Sequence, residues 1–348
     1  MTLRVALIGY GTGGAVFHAP LISSVPELRL DAIVTSRRDD VLARYPGVEV
    51  LDGTDRLWEA TDRYDLVVIS VPNRKHVALA REALTSGMPV VLDKPVAATA
   101  ADARSLAALA AVRGLPVIPF HNRRWDGDFR TVAQLVEDGA LGAVPRLESR
   151  FERWRPRVKE SWKESADPRD AGGVLFDLGA HLIDQAVALF GRPGTVYAEI
   201  DTRRPGATTS DDVFVALTHP GGEHSHLWMS ATAADLGPRF RILGADASYV
   251  VSGMDPQEDA LREGRTPADD PAWGQAPSDR YGRRGTPDDT RPEPTMPGAY
   301  QEFYRAVART LTENAPPPVD LNDAITGLDI IEAATESSKT RTTITLKP

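Results

Sequence analysis

The first third of the chain alternates short apolar runs with helix-forming stretches. The runs at 3–9, 28–34, 65–71, 89–93 and 115–120 are apolar nearly throughout and are bounded by turn residues. Strands that are apolar on both faces belong to parallel sheets covered by helices on either side. The segments HVALAREAL and TAADARSLAALAAV, which lie between these runs, carry residues of high helix propensity. The pattern predicts a doubly wound parallel sheet within residues 1–121.

A different pattern begins near residue 122. A helix at 126–138 precedes a half-exposed strand in VPRLESRFERW, and a second helix is predicted at about 174–190. Strands joined by short turns form antiparallel sheets. Residues 122–348 are therefore predicted to form an α/β domain built on an open, mainly antiparallel sheet. Its further strands are expected at 195–203, 212–219, 224–232, 239–244 and 248–252.

The last eighty residues contain the longest irregular segment. Residues 265–298 are rich in Pro, Gly, Asp and Arg with little periodicity, which predicts a long loop. The loop is either a disordered insertion or a functional flap, and Trp273 and Tyr281 favour the flap. Helices at about 299–313 and 322–338 and a short TTITL strand complete the chain. The second of these helices is a candidate to pack back on the first domain.

Composition narrows the class of protein. The 348 residues carry a net charge of −9 with a pI of about 5.4, which argues against a nucleic-acid or anionic-membrane partner. There is no cysteine, so disulfides, thiolate chemistry and cysteine metal sites are excluded. No signal peptide is evident, and no apolar run approaches the roughly 18 residues that would span a bilayer. A cytoplasmic location is expected.

A glycine-rich turn follows the first apolar run. Gly9, Gly11 and Gly14 have G-x-G-x-x-G spacing, with Thr12 and Gly13 between them. Between a strand and a helix, this spacing lets the backbone approach a pyrophosphate at the helix N-terminus. The turn predicts a dinucleotide site. The alternative is a glycine turn without a ligand.

The end of the second predicted strand indicates which dinucleotide is bound. NAD sites usually place an acidic residue there to hold the ribose 2′-hydroxyl. Here Ser36, Arg37 and Arg38 follow the strand, with no acid before Asp39. Guanidinium groups bind phosphate through paired, charge-assisted hydrogen bonds. NADP is predicted over NAD, unless these arginines are merely solvated loop charges.

Two further motifs carry chemical groups. Lys94, in VVLDKP, lies at the carboxyl end of a predicted strand, where open α/β sheets bind ligands, although such a tripeptide is often an ordinary loop. Asp177, His181 and Asp184 are spaced i, i+4, i+7 on the predicted helix and so share one face. The face is typical of acid–base chemistry or of a structural histidine bound to Asp177. A metal site is disfavoured, because no other His/Asp cluster is present to complete it.

The three motifs occur together in an order that resembles the Gfo/Idh/MocA family of NAD(P)-dependent sugar and cyclitol dehydrogenases. The family pattern maps onto the glycine loop, onto Asp93-Lys94-Pro95 and onto GGVLFDLGAHLID, with Asp93 in place of the usual Glu. The segments VTSR, FHNRRWDGDF and MDPQEDALREGR are similar to the NADP-dependent scyllo-inositol dehydrogenase branch. The resemblance implies an N-terminal Rossmann domain, a C-terminal domain on an open antiparallel sheet, and dimers or tetramers formed through that sheet.

The resemblance also assigns roles to residues. For hydride transfer from a secondary alcohol of a polyol or sugar, with scyllo-inositol the leading substrate, His181 is the expected base. Lys94 would stabilise the alkoxide, and Asp177 would orient the imidazole or hold a neighbouring hydroxyl. The catalytic residues are thus Lys94, Asp177 and His181, and the substrate is held by these and Arg124. The predicted cofactor residues are Gly9, Gly11, Thr12, Gly13, Gly14, Ser36, Arg37, Asn73, His76, Asp93 and Lys94.

Several assignments have alternatives. Asn73 and His76 could instead be a helix cap and a helix residue, and Arg124 could pair with Asp126 or Asp128. Asp184 is expected to support the site from behind or to contact the other domain. Gly172 and Gly173 would let the backbone approach the substrate, and Trp154, Arg155 and Trp162 are candidates to line the pocket. At the level of function, a dehydrogenase of another sugar or carbonyl compound, or a non-catalytic NADP-binding sensor, remains open.

Overall fold

Six parallel strands form the first sheet of the computed structural model, which describes residues 2–347. Their order along the sheet, β3-β2-β1-β4-β5-β6, is the order of doubly wound dinucleotide-binding sheets, so the Rossmann prediction is confirmed. The short edge strand β3 was not predicted, because three residues are too few to show a pattern. The strands are β1 (Leu3–Ile8), β2 (Leu28–Val34), β3 (Glu49–Leu51), β4 (Leu66–Ile69), β5 (Val90–Asp93) and β6 (Val117–Phe120).

Helices cover both faces of this sheet. Its strands are buried on either side, as expected for apolar strands of a parallel sheet, and apolar side chains fill a separate core on each face. The helices of this region are α1 (Ala19–Ser23), α2 (Arg38–Arg44), α3 (Asp55–Glu59), α4 (His76–Thr85) and α5 (Ala100–Arg113).

The second sheet has nine strands, in the order β14-β13-β12-β11-β7-β10-β9-β8-β15. All neighbouring strands are antiparallel except β7 and β10, which run parallel. The expected open and mainly antiparallel sheet is therefore confirmed. The strands are β7 (Arg146–Glu152), β8 (Thr195–Asp201), β9 (Asp212–Thr218), β10 (His224–Ser230), β11 (Phe240–Leu243), β12 (Ser248–Val251), β13 (Gly282–Thr286), β14 (Asp289–Glu293) and β15 (Ile344–Thr345).

The prediction of a long loop over 265–298 is wrong in part. Strands β13 and β14 form a hairpin that extends the sheet edge, with Thr286 paired to Asp289 across the turn. The hairpin residues are mostly polar and half or fully exposed, so no alternation of apolar and polar positions marks them in the sequence. Trp273 is buried and donates its Nε1–H to Gln257 Oε1 at 3.0 Å. It does not line the cavity that is described in the next subsection.

One face of the second sheet is covered by helices and the other is open. The remaining helices are α6 (Gly127–Glu137), α7 (Ala180–Phe190), α8 (Gln257–Arg262), α9 (Tyr300–Glu313) and α10 (Leu321–Thr340). Helix α10 joins the two halves. Leu321, Ile325 and Leu328 pack in the core of the first sheet, whereas Ile330 and Ile331 pack in the core of the second.

Two segments wind as π-helices, Gly13–His18 after the glycine loop and Leu175–Gly179 before α7. Single π-turns often occur at functional sites, and both segments border the cavity described below. Among residues 2–347, only the stretch Pro168–Phe190 is long and apolar enough to cross a membrane by length and composition, which the sequence pattern had not indicated. It is 67% buried, as is typical of a core helix.

Candidate active site

A cavity of about 550 Å³ lies where the carboxyl edge of the first sheet faces α7. The glycine loop and the end of β5 form one wall, and the segments after β7 and before α7 form the other. This is the position at which open α/β sheets bind ligands. The cavity brings together Gly9, Gly11, Thr12, Gly13, Asn73, Asp93, Lys94, Asp177 and His181.

The glycine loop fits a dinucleotide. A Cβ at Gly9 would lie 2.1 Å from the Ser70 carbonyl oxygen, and Gly9 has a φ of +101°, so only glycine forms this turn. A Cβ at Gly14 would lie 2.1 Å from the Gly9 carbonyl oxygen, which places Gly14 behind the loop as a packing residue. A Cβ at Gly11 would meet nothing within 4 Å and would occupy the space through which a pyrophosphate approaches the backbone.

Asp93, the departure from the family pattern, binds the loop and its own neighbour. Its carboxylate accepts hydrogen bonds from Ser70 Oγ at 3.0 Å and from the Lys94 backbone N–H at 2.9 Å, and it lies 3.6 Å from His18 Nε2. Burial alone would raise the pKa of Asp93, but His18, His76 and Lys94 outweigh burial and hold it below its usual range. The shorter side chain thus stays ionised behind the glycine loop.

Lys94 reaches across to the π-helical segment before α7. Its Nζ donates to the Asp177 backbone oxygen at 2.5 Å and to Asp177 Oδ1 at 3.3 Å. Burial lowers the pKa of Lys94, and the Asp177 carboxylate opposes that shift. The cavity therefore contains a lysine whose ammonium form is favoured by neighbouring carboxylates, first by Asp177 and then by Asp93.

Asp177 lies between two ammonium groups. Besides Lys94, it accepts a hydrogen bond from Lys163 Nζ at 2.6 Å. Burial would raise the pKa of Asp177, but the two lysines lower it well below its usual range, so this carboxylate is ionised. Gly172 and Gly173 do not line the cavity. They pack against the loop that carries Lys163, because the Gly173 N–H donates to the Lys163 carbonyl oxygen and a Cβ at Gly172 would lie 2.4 Å from the Ser165 carbonyl oxygen.

His181 lies one helical turn from Asp177 and points into the same cavity. It is 7% exposed, and its Nδ1 has no hydrogen-bond partner among the described residues. Burial lowers the pKa of His181 well below its ordinary value, and the positive charges of Lys94 and Arg123 lower it further. The imidazole is consequently neutral at pH 7, and in this form one of its two ring nitrogens can accept a proton.

Asp184, the third residue of the stripe, lies outside the cavity. It accepts two hydrogen bonds from Arg124 at 2.7 and 2.9 Å, and Arg124 also binds Asp323 of α10 at 2.9 Å. Arg124 is therefore held in an ion-pair network and does not line the cavity, in contrast to the predicted substrate contact. The adjacent Arg123 makes the pairing with Asp126 that was considered for Arg124.

The expected cofactor residues outside the glycine loop differ in their placement. Ser36 and Arg37 are exposed at the end of β2, and the Arg37 side chain makes no hydrogen bond within the described part of the chain. Asn73 lines the cavity while donating to the Asp170 carbonyl oxygen at 2.8 Å. His76 is fully buried, with both ring nitrogens 2.8 Å from backbone oxygens of Pro95 and Val71, so the structure places it in the packing behind the cavity.

Sequence reasoning missed most of the second-domain wall. Of the aromatic and arginine candidates, Arg155 and Trp162 line the cavity, whereas Trp154 is 58% exposed and does not. Phe151, Arg153 and Arg155 alternate along one extended segment, a period-two signal that would have identified Arg153. No comparable signal marks the other members, which include Asn122, Arg123, Lys163, Glu258 and Arg262. Among residues 2–347, no three or more His, Asp or Glu side chains group to hold a metal ion.

A doubly wound sheet with an open glycine cradle, facing a lysine, a carboxylate and a neutral imidazole, defines a dinucleotide-dependent oxidoreductase. Comparison with known proteins agrees. Residues 3–121 match "Oxidoreductase family, NAD-binding Rossmann fold", and residues 133–346 match "Oxidoreductase family, C-terminal alpha/beta domain" of Gfo/Idh/MocA. The chain belongs to the Gfo/Idh/MocA family of NAD(P)-dependent oxidoreductases.

Relatives match along the full chain. The chain is 36% identical to scyllo-inositol 2-dehydrogenase (NADP(+)) IolW of Bacillus subtilis, over 99% of this chain and 96% of that protein. It is 38% identical to the oxidoreductase YdgJ of Escherichia coli, over 99% of both. Among solved structures, the oxidoreductase yvaA from Bacillus subtilis superposes with a TM-score of 0.93 at 35% identity, covering 100% of this chain and 98% of that chain.

Proposed function

We propose that the protein is an NADP-dependent dehydrogenase that transfers a hydride between the nicotinamide and a secondary alcohol of a polyol or sugar, with scyllo-inositol and its inosose the leading pair. The observation that carries this proposal is the meeting of Lys94, Asp177 and His181 in one cavity beside the glycine loop. The relationship to IolW supports the substrate class.

In this proposal, His181 is the general base. Its imidazole is neutral, because burial and nearby positive charges lower its pKa, and a neutral imidazole can accept a hydroxyl proton. The Lys94 ammonium stabilises the negative charge that develops on the substrate oxygen. Asp177 keeps that ammonium charged and orients it by accepting a hydrogen bond from Lys94 Nζ at 3.3 Å. The bound nicotinamide would accept the hydride from the same carbon.

The preference for NADP rests on the end of β2. Ser36 and Arg37 are exposed there, and no acidic residue precedes Asp39 to hold a ribose 2′-hydroxyl. A guanidinium without another partner suits the 2′-phosphate, since it forms charge-assisted hydrogen bonds to phosphate. The pyrophosphate would lie over Gly11 and Gly13, whose backbone lines the cavity.

A substrate panel tests the function. Purified protein with NADP⁺ is offered scyllo-inositol, other inositols and common aldoses, and the formation of NADPH is followed by absorbance. We expect turnover of at least one polyol with NADP⁺ and a lower kcat/KM with NAD⁺. Tight NADPH binding without turnover of any polyol or ketose, in either direction, would contradict the proposal.

A homo-oligomer formed through the open face of the second sheet, in the cytoplasm, is part of the same proposal. That face carries Phe214 and Trp228, whose ring centroids are 5.0 Å apart, with the Arg150 guanidinium 4.0 Å from the Trp228 ring centroid. Aromatic residues and arginine are enriched at protein interfaces. Light scattering of the wild type and of Trp228→Glu tests it, and a wild-type monomer would contradict it.

A further inference from the structure

We propose that the natural substrate is a polyol that differs from neutral scyllo-inositol by an anionic group, a carboxylate or a phosphate, and that Arg153 binds this group. The inference rests on the proposed function, because it names the substrate class of that same site. It concerns the arginines that follow β7 in the second-domain wall of the cavity, to which the proposed catalytic steps assign no role.

The cavity is cationic in a chain of net negative charge. Six lysine or arginine side chains line it against three carboxylates, although the whole chain carries a net charge of −9. A neutral polyol needs hydrogen-bonding groups of both polarities and no excess of positive charge. The excess therefore indicates a ligand with negative charge.

Most of these cations already have a carboxylate partner. Lys94 and Lys163 share Asp177. Arg123 and Arg262 share Glu258, at 2.6 and 2.9 Å. The three carboxylates of the cavity are thus occupied, since Asp93 faces the glycine loop and His18.

Arg153 and Arg155 are the exceptions. Within residues 2–347 neither guanidinium makes a hydrogen bond or an ion pair. Only their backbones are bound, because the Arg153 N–H donates to the Ser230 carbonyl oxygen at the end of β10 and the Arg155 N–H donates to that of the next residue, Ala231. Arg153 is half-buried, with its guanidinium carbon 4.6 Å from the Phe151 ring centroid. Even partial burial of a cation without a charged partner is costly, and an anionic ligand would offset that cost. Burial, followed by repulsion from Arg155, lowers the pKa of Arg153 to about 10.

The phosphates of the cofactor do not account for Arg153. The groups expected to hold them, the glycine loop and Arg37, belong to the first domain. The charges that act most strongly on Arg153 are those of Arg123, Arg155, Asp177 and Glu258, all of which belong to the second domain. Its planar guanidinium matches a carboxylate or phosphate through two parallel hydrogen bonds. Arg153 therefore faces the part of the cavity left for the substrate.

Matched sugars test the inference through binding, independently of turnover. The NADPH-loaded protein is titrated calorimetrically with D-glucose, D-glucuronate and D-glucose 6-phosphate, which differ only at C6. We expect at least one of the two anions to bind with a Kd about tenfold or more below that of glucose. The anion that binds tighter identifies the group as a carboxylate or a phosphate.

Two variants locate the effect. Arg153→Gln should remove most of the preference for the anion and leave the glucose Kd unchanged. Arg157→Gln is the matched control, because Arg157 is exposed in the same segment and does not line the cavity, and it should keep the preference. The inference is overturned if the anions bind no better than glucose, if neither anion binds measurably, or if Arg153→Gln retains the preference.

The two proposals fail in different ways. A protein that oxidises neutral polyols through His181 and binds the three sugars alike would refute the anionic substrate and retain the dehydrogenase. A protein that binds an anionic sugar through Arg153 but transfers no hydride to or from any polyol or ketose would retain the anion site and refute the dehydrogenase.

Discussion

Lys94 Nζ lies 3.3 Å from Asp177 Oδ1, although 83 positions separate the two residues along the chain. The contact joins the end of a strand in the first domain to the π-helical segment before α7 in the second. It closes the cavity from both sides, and the charge of each group favours the ionised form of the other. Five predictions follow from the arrangement around it.

Asp177→Asn should move the alkaline limb of the pH profile of kcat/KM to lower pH. Asp177 raises the pKa of Lys94 against the lowering effect of burial, so its removal lowers that pKa further. The ammonium form is present only below this pKa, and activity would therefore be lost earlier as the pH rises. Lys163→Gln is the matched control. It should move the alkaline limb to higher pH, because Lys163 lowers the pKa of Lys94. Shifts of both variants in the same direction would refute the coupling.

His181→Ala should reduce kcat by about two to four orders of magnitude, the usual contribution of a general base. NADPH affinity should be unchanged, because the proposal assigns the cofactor phosphates to the glycine loop and Arg37 and assigns His181 to the substrate hydroxyl. Steady-state kinetics together with fluorescence titration of NADPH measure both quantities. An alanine variant with near wild-type turnover would exclude His181 as the base.

The acid limb of kcat/KM for alcohol oxidation should have its midpoint below pH 6.5. The base acts in its neutral form, and a folded-state pKa below the ordinary value keeps the imidazole neutral to lower pH. Activity is therefore lost only as the pH falls through the lowered pKa. A pH profile recorded with a substrate that does not itself titrate checks this. A midpoint at or above pH 6.5 that disappears in His181→Ala would show that burial does not lower the pKa of His181.

Arg37→Ala should weaken NADPH binding about ten- to a hundredfold and leave NADH binding unchanged, since charge-assisted hydrogen bonds contribute about 1.5–3 kcal/mol. Arg38→Ala serves for comparison and should have the smaller effect, because Arg38 already donates to the Val50 carbonyl oxygen at 2.9 Å. Dissociation constants of both nucleotides measure the result. Tighter binding of NADH than NADPH by the wild type would refute the predicted specificity.

Arg124→Met should lower the free energy of unfolding by about 3–5 kcal/mol, the usual cost of leaving a buried carboxylate unpaired. Asp184 is 4% exposed and has Arg124 as its bidentate partner. Urea denaturation measures the loss, and the double variant Arg124→Met/Asp184→Leu should recover part of it. The KM for substrate should be unchanged. A raised KM at wild-type stability would restore the predicted substrate contact.

Local sequence patterns determined most strands of the first sheet, the glycine loop and one face of the helix that carries His181. Apolar runs on both faces predicted five of the six strands of the first sheet, because burial between two helical layers leaves few polar positions in them. The spacing of Gly9, Gly11 and Gly14 predicted the loop, since only glycine fits its turn and its close contacts. Helical periodicity placed Asp177 and His181 on one face, which depends only on the helix repeat.

Tertiary structure decided which of these residues meet. Asp184 has the same periodicity as His181 but packs against Arg124, because the helix turns that face out of the cavity and toward α10. The hairpin of β13 and β14 exists through pairing with β12, which a polar sequence does not record. Arg153 has no carboxylate partner, because Lys94 and Lys163 pair with Asp177, and Glu258 pairs with two other arginines. Short-range periodicity fixes the face on which a side chain stands, whereas its partners depend on contacts between segments that are remote in sequence.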